Sequence, residues 1–566
     1  MGLLRRSLLL LLILLTPGLA TARDATIQGA RQAVAAAHPL AAQAGLDVLR
    51  KGGTAMDAAI AVQMVLNVVE PQASGIGGGG LLLYYDAAAK KLHYYDGREM
   101  APAGVRPDMF LDANGKPVAF MAAVVGGQSV GVPGLLRMLD SAHRRHGKLA
   151  WGDLFAAGIA LAENGAPVSP RLAAALKSDV ALPQDAQART IFYKPDGAPL
   201  QASESLVQKE LAATLRLIAK DGAESFYRGP LAADIVGRVQ GPNRRPGTLS
   251  LDDLANYKVV ESEALCGPYR TIKICAAPPV SSGGLALLQM LGLLEGFDLA
   301  ALQPQSVEAV HLIAQAAKLA FADREAYVGD PAFVTVPAAK LLARDYLDER
   351  AKSIARGKTT PGKAEPGRLA MIAPSPAGAT LEIPATSHFA IADAAGNVVS
   401  LTTTIEAAFG ARLMVRGFLL NNELTDFSFL PMVDGKPVAN AIAPGKRPRS
   451  SMTPAIAFSA DGEPMLAIGS AGGPTIIGAV LKAVIGMVDW NLSMQQAIDL
   501  PLALNFNGPT LLEMDRFDAA FAASLVALGH ETRFIAIPSG LHGLKRIPEG
   551  WQGGADPRRD GVAVGE

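Results

Sequence analysis

The sequence predicts an α+β fold in which helices and strands are interspersed around a well-packed core. Three observations predict it. Half of the residues are hydrophobic and 18% are charged, the balance of a soluble, packed protein. The stretch AMDAAIAVQMVLNVV is apolar on nearly every side, as a buried helix is. SHFAIAD and VVSLTTTI flank the turn AAGN with alternating residues, the pattern of a hairpin. A chain of 566 residues allows about two to four domain-sized units, or one large core.

The chain opens with MGLLRRSLLLLLILLTPGLATA. Arg5 and Arg6 precede an apolar run from Leu8 to Leu15, Pro17-Gly18 breaks it, and an A-x-A site ends at Ala22. This predicts a secretory signal over residues 1–22. The run is too short to span a membrane comfortably. The mature protein is expected to be periplasmic or secreted, with no membrane attachment once the signal is gone.

From about Ala30 to Val69 the pattern is helical, and AAQAGLDVLRKGG reads as a helix ending at Gly52-Gly53. SGIGGGG (Ser74–Gly80) then precedes a strand, LLLYY. It lacks the Lys-Ser/Thr of a phosphate loop and opens no helix, so close backbone packing explains it better. A second strand, KLHYYD, leads into GREMAP (Gly97–Pro102). The basic cluster HRRHGK (His143–Lys148) reads as a solvated helix end. Lys plus Arg and Asp plus Glu both count 52, so there is no basic excess of the kind a nucleic-acid binder shows.

Between Gly126 and about Arg350, helices alternate with Gly- and Pro-rich loops, and PPVSSGG starts a long helical stretch. Cys266 and Cys275 suit facing positions on a hairpin turning at Arg270-Thr271. A disulfide is possible in an oxidising compartment, but spacing leaves its geometry open. Two cysteines and no HExxH give no metal site to expect. From Lys352 to Pro384, Pro, Gly, Ala and Lys dominate without period, which predicts a loose, exposed segment. Order returns after Ala385.

Thr386 stands at that return. A threonine hydroxyl needs a base, and a threonine that begins a chain carries one in its own α-amine. Such an amine titrates near ~7.7–8.0, which suits general-base catalysis. The arrangement requires a cut before Thr386. A loose stretch running into a threonine that starts a strand is what a self-cutting chain would show, although a structural role is the commoner one for Thr in that place.

Further motifs follow in order: TSHF…TTTIE, NNELTDFS (Asn421–Ser428), PGKRPRSSMTP (Pro444–Pro454) and GSAGG (Gly469–Gly473), with SGIGGGG and GREMAP upstream. HPLAAQAGLDVLRKGG, GGQSVGVPG, PPVSSGG and ADPRRDGVAVG extend the series from about residue 30 to the end. Together they resemble the γ-glutamyltransferase (glutathione hydrolase) family of N-terminal-nucleophile hydrolases. The resemblance implies a four-layer αββα sandwich formed jointly by two chains after self-cleavage at Ala385–Thr386. The signal would be residues 1–22, the large chain 23–385 with a flexible end from about 352, and the small catalytic chain 386–566.

The resemblance also implies roles. Thr386 would be the cleavage residue and then the nucleophile, with Thr404 hydrogen-bonded to it. The backbone N–H groups of Gly472 and Gly473 would form the oxyanion hole. Arg98 would meet the α-carboxylate of a γ-glutamyl group, aided by Ser450 and Ser451. Glu406, Glu423 and Asp426 would hold the α-ammonium. The donor would be glutathione or another γ-glutamyl compound, and the acceptor water, an amino acid or a peptide, with no cofactor. For any one of these charged residues alone, a surface salt bridge would be the commoner reading.

Several positions depart from the family pattern. Ser387 follows Thr386 where Thr is common. The loop Ser428–Pro444 has no tyrosine, so a short or differently gated lid is expected. Leu502 stands where Arg is usual, and Ser539–Arg546 lacks a Gln-Ser pair. Two alternatives stay open: a cephalosporin or glutaryl acylase on the same fold, and an unprocessed binding protein. Retention of the three acids argues against the first, and intact Thr386, Thr404, Gly472 and Gly473 against the second.

Overall fold

A computed structural model describes residues 26–242, 244–378 and 385–566. The signal at 1–22 lies outside the described residues, as do the last residues before Ala385 (379–384).

Two seven-stranded antiparallel sheets stack on each other. The first runs Val562–Gly565, Ala33–Ala36, Thr386–Ala392, Val398–Thr404, Gly79–Asp86, Lys91–Asp96, Val260–Ser262. The second runs Ile27–Ala30, Gly550–Ala555, His542–Ile547, Pro464–Gly469, Ala455–Phe458, Ile272–Ala276, Leu265–Tyr269. Helices Pro39–Arg50 and Ala55–Val69 cover the outer face of the first sheet. Gly283–Leu294, Thr475–Val488 and Met494–Asp499 cover the second. This is the expected four-layer αββα sandwich.

Side-chain alternation sorts the layers. Phe389 and Ile391 join Leu82, Tyr84, Val399 and Leu401 under the helices. Ala390 and Ala392 join Ala33, Ala35, Leu81 and Leu83 on the opposite face, toward the second sheet. The sheet–helix layer takes the large groups of this strand, and between the sheets its alanines make room for Leu81 and Leu83. Phe389 is fully buried. Phe389→Ala should cost about 3–5 kcal/mol, read as a lower unfolding midpoint in denaturant.

The helix Ala55–Val69 is buried along all of its length, as its composition implies. The expectation of helix from Ala30 onward fails at its start: Ile27–Ala30 and Ala33–Ala36 are strands. Alanine favours helix by propensity. Here its small size decides, because Ala33–Ala36 pairs with Thr386–Ala392 at the centre of the first sheet. The basic cluster also divides. Arg144 and Arg145 are exposed at the end of helix Leu135–His146. His146 is buried, stacked on Tyr84 and bonded through Nε2 to the Tyr95 hydroxyl at 2.8 Å. His143 and His146, three apart, share the inner face of the helix.

Cys266 and Cys275 are cross-strand partners and are bonded to each other. Past helix Arg344–Ala351, residues 352–378 hold no helix or strand beyond an isolated bridge. They are nonetheless tied to the body. Thr359 donates its N–H to the Leu528 carbonyl at 2.8 Å, Tyr327 its hydroxyl to Gly367 at 2.6 Å, and Ser375 its N–H to Ala326 at 3.0 Å. Among the described residues, no helix is long and apolar enough to cross a membrane.

Candidate active site

The hairpin places Thr386 opposite Thr404, the first residue of one strand against the last of the other. Their hydroxyls lie 3.4 Å apart. Thr404 Oγ1 accepts the Glu406 N–H at 2.8 Å and donates to the carbonyl of Ala385 at 2.9 Å. The group that faces the Thr386 hydroxyl therefore also polarises the carbonyl of the preceding peptide. Arg559 donates to the Thr386 carbonyl at 2.7 Å, and Ser387 donates to Glu70 at 2.6 Å. The carbonyls of the peptides on either side of Thr386 are thus both held by side-chain donors.

The glycine run explains how the hairpin end fits. A Cβ on Gly78 would come 2.0 Å from the Thr404 carbonyl oxygen. Only a bare backbone passes there, so SGIGGGG acts by close approach and not as a phosphate loop.

His388 is the imidazole of the same strand, two residues from Thr386, and it is not placed as a base for that hydroxyl. Its Nδ1 meets the Thr402 hydroxyl at 2.9 Å. Burial, and then His542, push its pKa far below the ordinary value. Among the described residues, Thr404 is the only hydrogen-bond partner of the Thr386 hydroxyl.

One small pocket is lined by Thr386, Thr404, Arg98, Glu406, Glu423, Asp426, Ser450, Ser451 and Gly473. The fold brings together nine of the ten residues named from sequence, drawn from segments more than 300 positions apart. Gly472, the tenth, adjoins Gly473 at the turn into helix Thr475–Val488. Both glycines have positive φ, 131° and 59°. Neither N–H donates to another described residue. The positive end of the helix dipole lies beside them.

Arg98 is buried, and each of its three side-chain nitrogens has an acceptor. Nη1 bonds Glu423 and Nη2 bonds Asp426 and the Arg449 carbonyl, while Nε reaches the Pro448 carbonyl at 3.1 Å. Burial disfavours its charge, but Glu423, Asp426 and Glu99 outweigh that and raise its pKa above the ordinary value. A ligand carboxylate would have to displace one of these acids to gain the two-pronged contact. Glu99 was not foreseen. It is fully buried beside Arg98, and burial and then Glu423 push its carboxyl well above the usual range. Burial likewise raises Glu423 against the pull of Arg98. One guanidinium thus faces Glu99, Glu423 and Asp426, with Glu406 on the same pocket: acids exceed bases.

The motifs serve as supports. Asn421 accepts the N–H groups of Gly131 and Glu423 at 2.9 and 3.0 Å and donates to Gly77 at 2.8 Å. It ties the glycine run, the segment GGQSVGVPG and the acidic turn Glu423–Asp426 together. Asn422 donates to Glu406 and to Thr425. Ser282 of PPVSSGG donates to the Ser450 carbonyl at 2.7 Å. The loop without tyrosine forms a short exposed hairpin, Met432–Val433 with Lys436–Pro437. Arg559, Glu70 and Arg324 are further site neighbours that sequence reasoning missed. Glu70 and Arg324 carry no local signal, whereas Arg559 stands in the motif ADPRRDGVAVG, which gave its presence but not its contact.

An αββα sandwich with a threonine opening a central strand defines an N-terminal-nucleophile hydrolase fold. A family model described as Gamma-glutamyltranspeptidase matches residues 41–566, and the chain belongs to that family. It is 39% identical over 547 residues to the glutathione hydrolase proenzyme of Bacillus subtilis (strain 168), covering 94% of this chain and 91% of that protein. It is 36% identical to the acylase ACY 1 proenzyme of Pseudomonas sp. (strain V22), covering 95% and 94%. The crystal structure of cephalosporin acylase from Bacillus halodurans superposes with TM-score 0.82 at 28% identity, covering 98% of this chain and 99% of that one.

Proposed function

We infer that the protein is a self-processing γ-glutamyl hydrolase and transpeptidase. The observation that carries this reading is the pocket, where a threonine pair meets two serine hydroxyls and an excess of carboxylates over one arginine. An acid excess suits a donor with an α-ammonium, and the hydroxyls suit its α-carboxylate.

Processing starts with attack of Thr386 Oγ on the Ala385 carbonyl carbon. The C–N bond breaks as the acyl group moves to oxygen, and the Thr404 hydroxyl stabilises the charge on the Ala385 oxygen. The hydroxyl proton passes to the nitrogen, so the shift frees the Thr386 α-amine, and water then hydrolyses the ester and frees the Thr386 hydroxyl. The products would be residues 23–385 and 386–566, after loss of a signal over 1–22 and export to the periplasm or medium. The proenzyme names of the relatives support the cut.

In turnover, the α-amine takes the Thr386 hydroxyl proton as Oγ attacks the donor's γ-carbonyl. The N–H groups of Gly472 and Gly473 would take up the oxyanion. The proton passes to the leaving amine, and a γ-glutamyl ester remains on Thr386. Water completes hydrolysis, or an amino acid or peptide amine completes transfer. Glutathione is the donor that the glutathione hydrolase relatives suggest.

The acylase relative makes a second reading concrete, in which the acyl group is glutaryl and lacks the ammonium. The two are separated by comparing γ-glutamyl anilide with glutaryl anilide. The expected result is two chains, the smaller beginning at Thr386 by N-terminal sequencing, and faster release from the γ-glutamyl donor. An uncut chain, or faster glutaryl release, would overturn the inference. Thr404→Ala should slow processing by about tenfold or more, since it removes a hydrogen bond to developing charge. A time course of chain cleavage on a gel checks it.

A further inference from the structure

We propose that Arg559 is a positioning residue that keeps the Thr386 α-amine unprotonated, and so ready to act as the base, at neutral pH. The proposal rests on the reading of Thr386 as a terminal nucleophile. Arg559 donates through Nη1 to the Thr386 carbonyl at 2.7 Å and through Nε to the Ser539 carbonyl at 2.8 Å. Gly540 makes room for it: a Cβ there would stand 2.6 Å from Arg559 Nε and 2.8 Å from its Cζ. Thr386 and Arg559 both follow the cut in sequence, so cleavage leaves the contact within one chain.

The α-amine and its own carbonyl oxygen are three bonds apart, so the guanidinium lies within about 6 Å of the amine. A like charge at that range disfavours the ammonium. The pocket pulls the other way. Glu406, Glu423 and Asp426 line it with Thr386, and acids favour a protonated amine. A protonated amine cannot take the hydroxyl proton.

The other cations nearby are matched by acids. Arg98 is bonded to Glu423 and Asp426. Arg171 is paired with Glu70, the acid that Ser387 contacts. Arg558 is paired with Glu513 and Asp556. Burial lowers the pKa of His388 and of His542, so neither is charged at neutral pH. Arg559 differs: both of its bonds go to carbonyls, and it forms no ion pair among the described residues. Burial and then Arg171 lower its pKa to about 9, against the pull of Glu70, Asp556 and Asp560, so it is charged at neutral pH. An amide would hold the Thr386 carbonyl as well. Only a cation adds charge beside the amine.

The test uses the processed two-chain enzyme and the pH profile of kcat for γ-glutamyl anilide, from about pH 5.5 to 9.5, whose acid limb reports the base in the enzyme–donor complex. Arg559→Gln keeps a donor and removes the charge. The ammonium is then less disfavoured, so the limb should move up by about one pH unit. Below the limb kcat should fall about tenfold, and above it by less than about threefold. Arg559→Lys keeps the charge and should recover most of the shift. An unmoved limb in Arg559→Gln, an equal fall in kcat at every pH, or the same shift in Arg559→Lys would each overturn the proposal.

If Arg559→Gln remains a single chain, Gly540→Ala carries the test. Its Cβ displaces the guanidinium and leaves Thr386 untouched. The limb should rise by a smaller step, about half a pH unit, and an unmoved limb would overturn the proposal. A wild-type protein that stays uncut, or that fails to cleave γ-glutamyl anilide, would sink the underlying reading. That outcome needs no variant, so the two failures are distinguishable.

Discussion

Thr386→Ala should remain one uncut chain and lose γ-glutamyl turnover by on the order of 10⁶ in rate, the scale seen when a nucleophile is deleted. Two separate steps depend on this hydroxyl. The first is attack on the Ala385 carbonyl, which the Thr404 hydroxyl already contacts at 2.9 Å. The second is attack on the donor, with the α-amine that the first step releases as base. Thr386→Ser keeps the oxygen and the amine, and should still be cut and still turn over, more slowly. Intact mass, N-terminal sequencing and a γ-glutamyl anilide assay on both variants check this. Cleavage in Thr386→Ala would mean that another group opens the chain. An uncut but fully active protein would remove the need for a terminal amine altogether.

Gly472→Ala should lower kcat by about 10²–10³, the usual loss when an oxyanion donor is displaced. Gly472 has φ of 131° and an added Cβ would come 2.3 Å from both the Pro538 carbonyl oxygen and Thr475 Oγ1. The turn must shift, and with it the N–H groups beside the pocket. Arg98, Glu406, Glu423, Asp426, Ser450 and Ser451, proposed to bind the donor, lie on other segments, so KM should stay within about threefold. Processing should continue, because the contact to the Ala385 carbonyl in the uncut chain comes from Thr404. Steady-state kinetics on the cut enzyme decide it. A normal kcat would move the oxyanion donors elsewhere.

Much of the site is local in origin and hence legible. The hairpin Thr386–Thr404 needs only period-2 alternation and a turn, and its register sets the two hydroxyls face to face. The buried helix Ala55–Val69 needs only its composition. Ala33–Ala36 was not legible, since alanine runs read as helix by propensity and nothing local says that two sheets must pack closely there. The same holds for His143 and His146, whose inner-face positions depend on Tyr84, Tyr95 and Asp57. Residues 352–378 lack regular structure, as their composition implies. Their ties to Leu528, Tyr327 and Ala326 join positions far apart in sequence.

By itself the sequence determined the order of motifs, the position of the threonine at a strand start, and the types of side chain that meet in the pocket. The threonine's place follows from period and the chemistry of single residues, and the set of pocket side chains follows from the family resemblance that the ordered motifs carry. Only the tertiary structure decided how they engage one another. It set Arg98 against Glu423 and Asp426, which stand 325 and 328 positions away. It put Arg324 behind Ser451 at a separation of 127. It closed the bond between Cys266 and Cys275. Charge balance and hydrogen-bond direction depend on distances between segments that local patterning does not encode, and packing of the two sheets supplies those distances.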